Sequence, residues 1–125
     1  MKNKCYILGI DGGGTNTYAV IFDEEGKTIA NCVSSGTNLN VYKELAIKRI
    51  IDLIKTISYK AKLTLDDISG YGIALAGVSD LNQREGLLKE LDALNISSNS
   101  IVLSDTEAAY KLLCPSGNGV LLSVG

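Results

Sequence analysis

Three consecutive glycines, at positions 12–14, stand between two apolar runs and constrain the fold more than any other feature of the sequence. The flanking runs, residues 5–11 (CYILGID) and 15–23 (TNTYAVIFD), are rich in the β-branched and aromatic side chains that favour strands. Glycine adopts positive φ at no steric cost, so the run predicts a tight turn between the two strands. A second turn at residues 24–26 (EEG) leads into a third run, and the three strands predict an antiparallel meander.

After the meander the spacing of apolar residues changes, and helices alternate with strands. Isoleucines recur at the i, i+3, i+4 and i+7 positions of one helical face and predict a long helix over residues 41–63. Short apolar runs predict buried strands over residues 70–76 and 101–104. Between these strands, Asn82 with Glu85 has the form of a capping box at the start of a leucine-rich helix.

The C-terminal residues continue this alternation. Residues 105–113 predict a short helix ended by Pro115, and residues 119–125 (GVLLSVG) predict a further strand. The order of elements predicts an α/β fold with a mixed five-stranded sheet, an antiparallel N-terminal meander and helices on its faces. We expect residues 1–118 to form this unit and residues 119–125 to be the first strand of another one, because a strand needs a neighbour to pair with.

Composition narrows the chemistry. The chain has no histidine, which excludes Ser-His-Asp and Cys-His nucleophile systems and any zinc site with a histidine ligand. Its 12 basic and 14 acidic residues leave a net charge of -2, so we expect neither nucleic acid nor an anionic membrane as a partner. The three cysteines form no CxxC pair and no apolar run approaches the ~20 residues of a membrane span, which together favour a cytoplasmic protein.

Residues 11–17 (DGGGTNT) have the composition of a phosphate-binding loop. Glycine N–H groups can turn toward a phosphate, the hydroxyls of Thr15 and Thr17 can add donors, and Asp11 could hold Mg²⁺ directly or through water. A Walker loop is excluded because no GK[ST] follows, and a dinucleotide fingerprint is excluded because the turn leads into a strand. The alternative is a glycine-rich hairpin with a capping aspartate.

Three further residues are candidates for chemistry. Asp105 lies where a strand meets a helix, and it is either the general base of a phosphoryl transfer or an ordinary N-cap. Asn38 offers an amide suited to paired hydroxyls of a polar ligand, or it is a helix cap. Gly77 ends a strand, where it marks either the close approach of a ligand or a turn.

Five runs together resemble one family in the same order: ILGIDGGGTNTYAVIFDEEGKTIA, SSGTNLN, GYGIALAGVSD, IVLSDTEAAY and GVLLSVG. They resemble the N-terminal lobe of the BadF/BadG/BcrA/BcrD ATPase and N-acetylglucosamine kinase family, over essentially the whole chain. The resemblance implies a ribonuclease-H-like lobe of the actin, hexokinase and Hsp70 superfamily, in which two lobes close on ATP and Mg²⁺.

The resemblance also implies roles for individual residues. Asp105 would be the catalytic base on the acceptor hydroxyl and would line the sugar site with Asn38 and Gly77, while Asp11 would lie near Mg²⁺. The residues expected to bind ATP are Asp11, Gly12, Gly13, Gly14, Thr15, Asn16 and Thr17.

These roles describe half of an ATP-dependent sugar kinase that phosphorylates an amino sugar such as N-acetylglucosamine. Family members continue into a GTGS-like motif and a second lobe, so this chain alone is expected to be inactive, because catalysis by closure needs both walls of the cleft. One alternative is the activator ATPase of an acyl-CoA dehydratase or reductase, which needs paired cysteines for an iron-sulfur cluster. Another is a non-catalytic sugar sensor or half-protein that binds a partner, as a homodimer or through its C-terminal strand.

Overall fold

A computed structural model describes residues 5–104 of the chain, and the structural statements that follow concern this part. Five strands form one sheet in the order β3-β2-β1-β4-β5. The strands are β1 (Ile7–Gly12), β2 (Asn16–Phe22), β3 (Thr28–Ser35), β4 (Gly70–Leu75) and β5 (Ser100–Leu103). The pairs β1–β2 and β2–β3 are antiparallel, whereas β1–β4 and β4–β5 are parallel. The predicted meander and the mixed five-stranded α/β sheet are therefore confirmed.

The helix predicted over residues 41–63 is divided into α1 (Leu39–Tyr42) and α2 (Glu44–Lys60). The division falls at Lys43, whose φ of 55° lies outside the helical region. The pattern could not show this break, because neither glycine nor proline stands there and the isoleucine spacing begins only at Ile47.

Helix α3 (Leu81–Ala93) begins one residue earlier than its predicted cap. The Gln83 N–H donates to the Asp80 side chain at 3.3 Å, so Asp80 is the N-cap and the assignment of this role to Asn82 was wrong. Asn82 is exposed in the first turn of the helix. Both positions carry cap-forming side chains, and only the path of the chain after β4 selects between them.

One face of the sheet carries the main core. Apolar residues of the strands alternate toward this face and pack in one cluster with the isoleucines of α2 and the leucines of α3. The strand members of this cluster that are at most 2% exposed are Leu8, Ile10, Ala19, Ile21, Tyr71, Ile73 and Leu75. Each fully buried side chain of this size contributes about 1.5–3 kcal/mol, so burial of the α2 and α3 faces holds both helices on the sheet.

Four of the strands run in the same direction. Because β3 is antiparallel to β2 and β2 to β1, β3 points the same way as β1, β4 and β5. Their carboxyl ends meet at one edge of the sheet, which is where open α/β sheets collect their ligands. The helix predicted over residues 105–113 and the strand over residues 119–125 lie outside the described residues. Among the helices within residues 5–104, none is both long and apolar enough to cross a bilayer.

Candidate functional site

Three loops meet at the carboxyl edge of the sheet and are called the loop cluster below. They are residues 13–15 between β1 and β2, residues 36–38 between β3 and α1, and residues 76–80 between β4 and α3. Backbone hydrogen bonds join each loop to a neighbour. The Thr37 N–H donates to the Gly13 carbonyl at 3.0 Å, and the Leu39 N–H donates to the Ala76 carbonyl at 3.0 Å. The sheet thus holds three segments, far apart in sequence, as one surface.

Gly12 lies at the base of the loop cluster, where the packing requires a glycine. A Cβ at this position would collide with the Thr37 hydroxyl and with the side chain of Leu75. The Thr37 Oγ1 atom lies 2.7 Å from the Thr17 Oγ1 atom, and both side chains are fully buried. The Thr17 hydroxyl therefore ties β2 to the loop of residues 36–38 beneath the surface, whereas Thr15 is exposed.

Gly13 and Gly14 are in a different situation. A Cβ on Gly13 would make an ordinary contact at 3.5 Å with the Asn16 carbonyl, and a Cβ on Gly14 would have no described atom within 4 Å. Neither residue has the positive φ that favours glycine. Packing within residues 5–104 therefore gives no reason for a glycine at these two positions.

The carbonyl groups of the three consecutive glycines are held by the protein. The Gly12 carbonyl accepts from the Ala76 N–H at 3.0 Å, and the Gly13 carbonyl accepts from the Thr37 N–H. The Gly14 carbonyl accepts from the Tyr42 hydroxyl at 2.9 Å. Donors from three different segments therefore determine the orientation of three successive peptide planes.

Asp11 is the penultimate residue of β1 and is half-buried. Alternation along the strand places it on the opposite face of the sheet from Ile10 and the helices. It lies in register with Ala74, which lies in register with Leu103 near the end of β5. Asp105 itself lies outside the described residues, so its predicted role as catalytic base stays a prediction.

Asn38 and Gly77, the two other residues predicted for the sugar site, are in contact. The Asn38 Oδ1 atom accepts from the N–H groups of Asn40 at 2.9 Å and Val41 at 3.2 Å, so the side chain caps α1, as its alternative interpretation stated. Gly77 has a φ of 76°, and a Cβ there would collide with Asn38 Oδ1. The fold therefore explains both residue types, and their roles toward a sugar stay predictions.

Sequence reasoning missed the residues that support the loop cluster from the helices. The Arg49 Nη1 atom donates to the Gly36 carbonyl at 2.8 Å, and the Arg49 Cζ atom lies 4.8 Å from the centroid of the Tyr42 ring. A Cβ on Gly36 would collide with the Gly14 carbonyl. No local signal of the sequence indicated them, because Tyr42 lies in α1 and Arg49 in α2, and only the packing of the two helices brings the side chains together.

The sheet order and the placement of the helices are those of the predicted ribonuclease-H-like fold. A solved structure of a candidate N-acetylglucosamine kinase from Chromobacterium violaceum has the same fold, with a TM-score of 0.59 and 19% identity over 91% of this chain and 39% of that one. The chain belongs to the BadF/BadG/BcrA/BcrD ATPase family, whose model matches residues 8–111.

Two curated relatives are similar in sequence. A glucosamine kinase of Vibrio cholerae is 34% identical over 74 residues, which are 58% of this chain and 25% of the relative. An N-acetylmuramic acid/N-acetylglucosamine kinase of Clostridium acetobutylicum is 27% identical over 121 residues, which are 96% of this chain and 40% of the relative. The chain thus spans less than half the length of either relative, and the resemblance found in the sequence is confirmed.

Proposed function

We propose that the chain is the N-terminal lobe of an ATP-dependent kinase that transfers the γ-phosphoryl group of MgATP to a hydroxyl of an amino sugar. Membership of an ATPase family supports the nucleotide. Both curated relatives are named as kinases of amino sugars, which supports the acceptor class over the activator ATPase. In this proposal residues 1–118 form the lobe and residues 119–125 begin the second one.

The observation that carries the proposal is the geometry of the turn at residues 13–15. In a trans peptide the C=O of one residue and the N–H of the next point in opposite directions. Because the carbonyls of Gly13 and Gly14 are held by Thr37 and Tyr42, the N–H groups of Gly14 and Thr15 point away from those donors. Two successive N–H groups that point away from those donors, and that donate to no backbone carbonyl within residues 5–104, can form the kind of concavity that binds phosphate.

The residues present fit a magnesium ion that arrives with the nucleotide. Mg²⁺ is usually bound through one or two carboxylates together with phosphate oxygens and waters. Asp11 precedes the glycine turn at the carboxyl edge, and within residues 5–104 no group of three acidic, cysteine or histidine side chains could hold a metal by itself. Asp11 would hold the ion, and when bound the ion would neutralise charge on the phosphates.

The acceptor sugar is assigned to the same edge. The oxygen of the Asn38 side chain is committed to capping α1, so its amide nitrogen is the group left to donate to a sugar hydroxyl beside Gly77. Asp105 follows β5 by two residues in the sequence, and β5 ends at the edge that carries Asp11. A carboxylate there would orient the hydroxyl and accept its proton as the phosphoryl group is transferred.

The test is the substitution Asp105→Asn in the full-length protein, with glucosamine and N-acetylglucosamine as acceptors. Loss of a general base lowers kcat by about 10²–10⁴-fold, while the affinity for ATP measured by calorimetry stays close to that of the wild type. Glu85→Gln, which changes an exposed carboxylate on α3, is the matched control and retains full turnover.

Two results would contradict this proposal. An Asp105→Asn variant that keeps more than half of the wild-type turnover would remove Asp105 as the base. Hydrolysis of ATP by the wild type without phosphorylation of any amino sugar would instead favour the activator ATPase.

A further inference from the structure

We infer that Tyr42, held in place by Arg49, is a positioning residue that aims the N–H groups of Gly14 and Thr15 at the phosphates of ATP. The inference rests on the proposed function and adds two residues to it that no motif of the sequence indicated. Neither side chain needs to touch the nucleotide, because both act through the backbone of the glycine turn.

The hydrogen bond from Tyr42 fixes one peptide plane. Its hydroxyl donates to the Gly14 carbonyl at 2.9 Å, and the N–H of Thr15 belongs to the same planar group. Rotation of this plane would turn the Thr15 N–H away from its present direction. The neighbouring peptide plane is held by the backbone N–H of Thr37, which a side-chain substitution does not remove. The hydrogen bond from the Tyr42 hydroxyl is therefore the restraint on this turn that a substitution can remove.

The turn depends on this bond because little else restrains it. Gly14 is exposed, and a Cβ there would have no described atom within 4 Å. Neither the Gly14 nor the Thr15 N–H donates to a backbone carbonyl within residues 5–104. Glycine has several backbone conformations of similar energy, and an added hydrogen bond selects one of them.

Arg49 holds the Tyr42 ring from the next helix. Its Cζ atom lies 4.8 Å from the ring centroid, a cation–π distance, and its Nη1 atom donates to the Gly36 carbonyl at 2.8 Å. Gly36 in turn packs against Gly14 and the Tyr42 ring. The planar guanidinium thus restrains the tyrosine and the loop beside it at once, which an ammonium group cannot do in the same geometry.

The experiment measures the steady-state kinetics of the full-length protein with Tyr42→Phe, which removes the hydroxyl and keeps the ring. The KM for MgATP rises about fivefold, the factor that corresponds to one neutral hydrogen bond. The KM for glucosamine and the midpoint of thermal unfolding stay at wild-type values. Arg49→Lys gives a smaller rise in the same constant. Tyr59→Phe, at a position on α2 that is 87% exposed, is the matched control and changes nothing.

A second measurement separates this inference from the function on which it rests. In ¹⁵N-labelled wild-type protein, ATP shifts the amide resonances of Gly14 and Thr15, and in Tyr42→Phe these shifts are reduced. If the wild type neither binds ATP nor phosphorylates an amino sugar, the proposed function fails and the inference fails with it.

Two outcomes overturn the inference alone. If the wild type is active and Tyr42→Phe has an unchanged KM for MgATP, Tyr42 does not position the turn. If the variant instead loses thermal stability and both KM values rise together, Tyr42 has only a structural role.

Discussion

Gly14 and Gly36 belong to two neighbouring loops and lie against each other. The physical reason for a glycine differs between the two positions. Gly36 is buried, and a Cβ there would collide with the Gly14 carbonyl and contact the Tyr42 ring. Gly14 is exposed, and a Cβ there would point into open space. At the scale of the residue, packing within the fold therefore requires a glycine at position 36. It does not require one at position 14, where the close approach of a ligand is the remaining reason for a glycine.

Alanine substitutions separate these two cases. Gly36→Ala forces two loops apart and lowers the free energy of unfolding by about 2 kcal/mol, the usual cost of overpacking. Gly14→Ala changes it by no more than about 0.5 kcal/mol, as expected of an open surface position. Urea titrations of the two variants beside the wild type measure both values. Equal losses would show that Gly14 also has a packing role.

At the scale of the element, the ends of the helices were harder to predict than their existence. Strand positions agreed within about two residues because period-two runs are bounded by turns, which is the usual precision of such boundaries. The break at Lys43 and the start of α3 depend on contacts between elements. Lys43 Nζ lies 3.4 Å from Asp80 Oδ2. The residue at which the first predicted helix breaks therefore forms an ion pair with the residue that caps α3.

The cap of α3 gives a test at this scale. Asp80→Ala removes the acceptor for the Gln83 N–H and the partner of Lys43, and the free energy of unfolding falls by about 1 kcal/mol. Most of this loss comes from the cap, because a half-exposed ion pair contributes about 0–1 kcal/mol. Asn82→Ala is the control, and its unfolding curve in urea overlays that of the wild type. A larger loss from Asn82→Ala would restore the capping box suggested by the sequence.

At the scale of the whole molecule, Tyr71 ties the buried core to the segment that leads into β4. Its side chain is fully buried in β4, and its hydroxyl donates to the Leu65 carbonyl at 2.8 Å. Desolvation by burial raises the pKa of Tyr71 well above its usual value, and the charge of Asp66 raises it further. Ionising this phenol in the folded state is therefore costlier than in the unfolded chain.

The sign of this shift predicts a loss of stability in alkali. The stabilisation is fully present below the unfolded pKa of about 10 and is lost as the pH rises above it, because only the unfolded chain then releases the proton. The slope that this tyrosine contributes is about half of 1.4 kcal/mol per pH unit at pH 10 and approaches about 1.4 kcal/mol per pH unit at higher pH. Tyr71→Phe is less stable at neutral pH but loses that slope, whereas Tyr59→Phe keeps it. Urea titrations from pH 9 to pH 11 measure the slopes, and equal slopes in all three proteins would refute the prediction.

The sequence by itself determined the strands, the meander, the α/β class and the loop that carries the glycines, because apolar periodicity and glycine runs are local signals. It also indicated Asn38 and Gly77 as special positions without showing that they touch. Only the tertiary structure decided which glycines serve packing and which residues orient the turn. Tyr42 and Arg49 act on Gly14 and Gly36 across separate loops, and such contacts exist only once the sheet has brought distant segments to one edge.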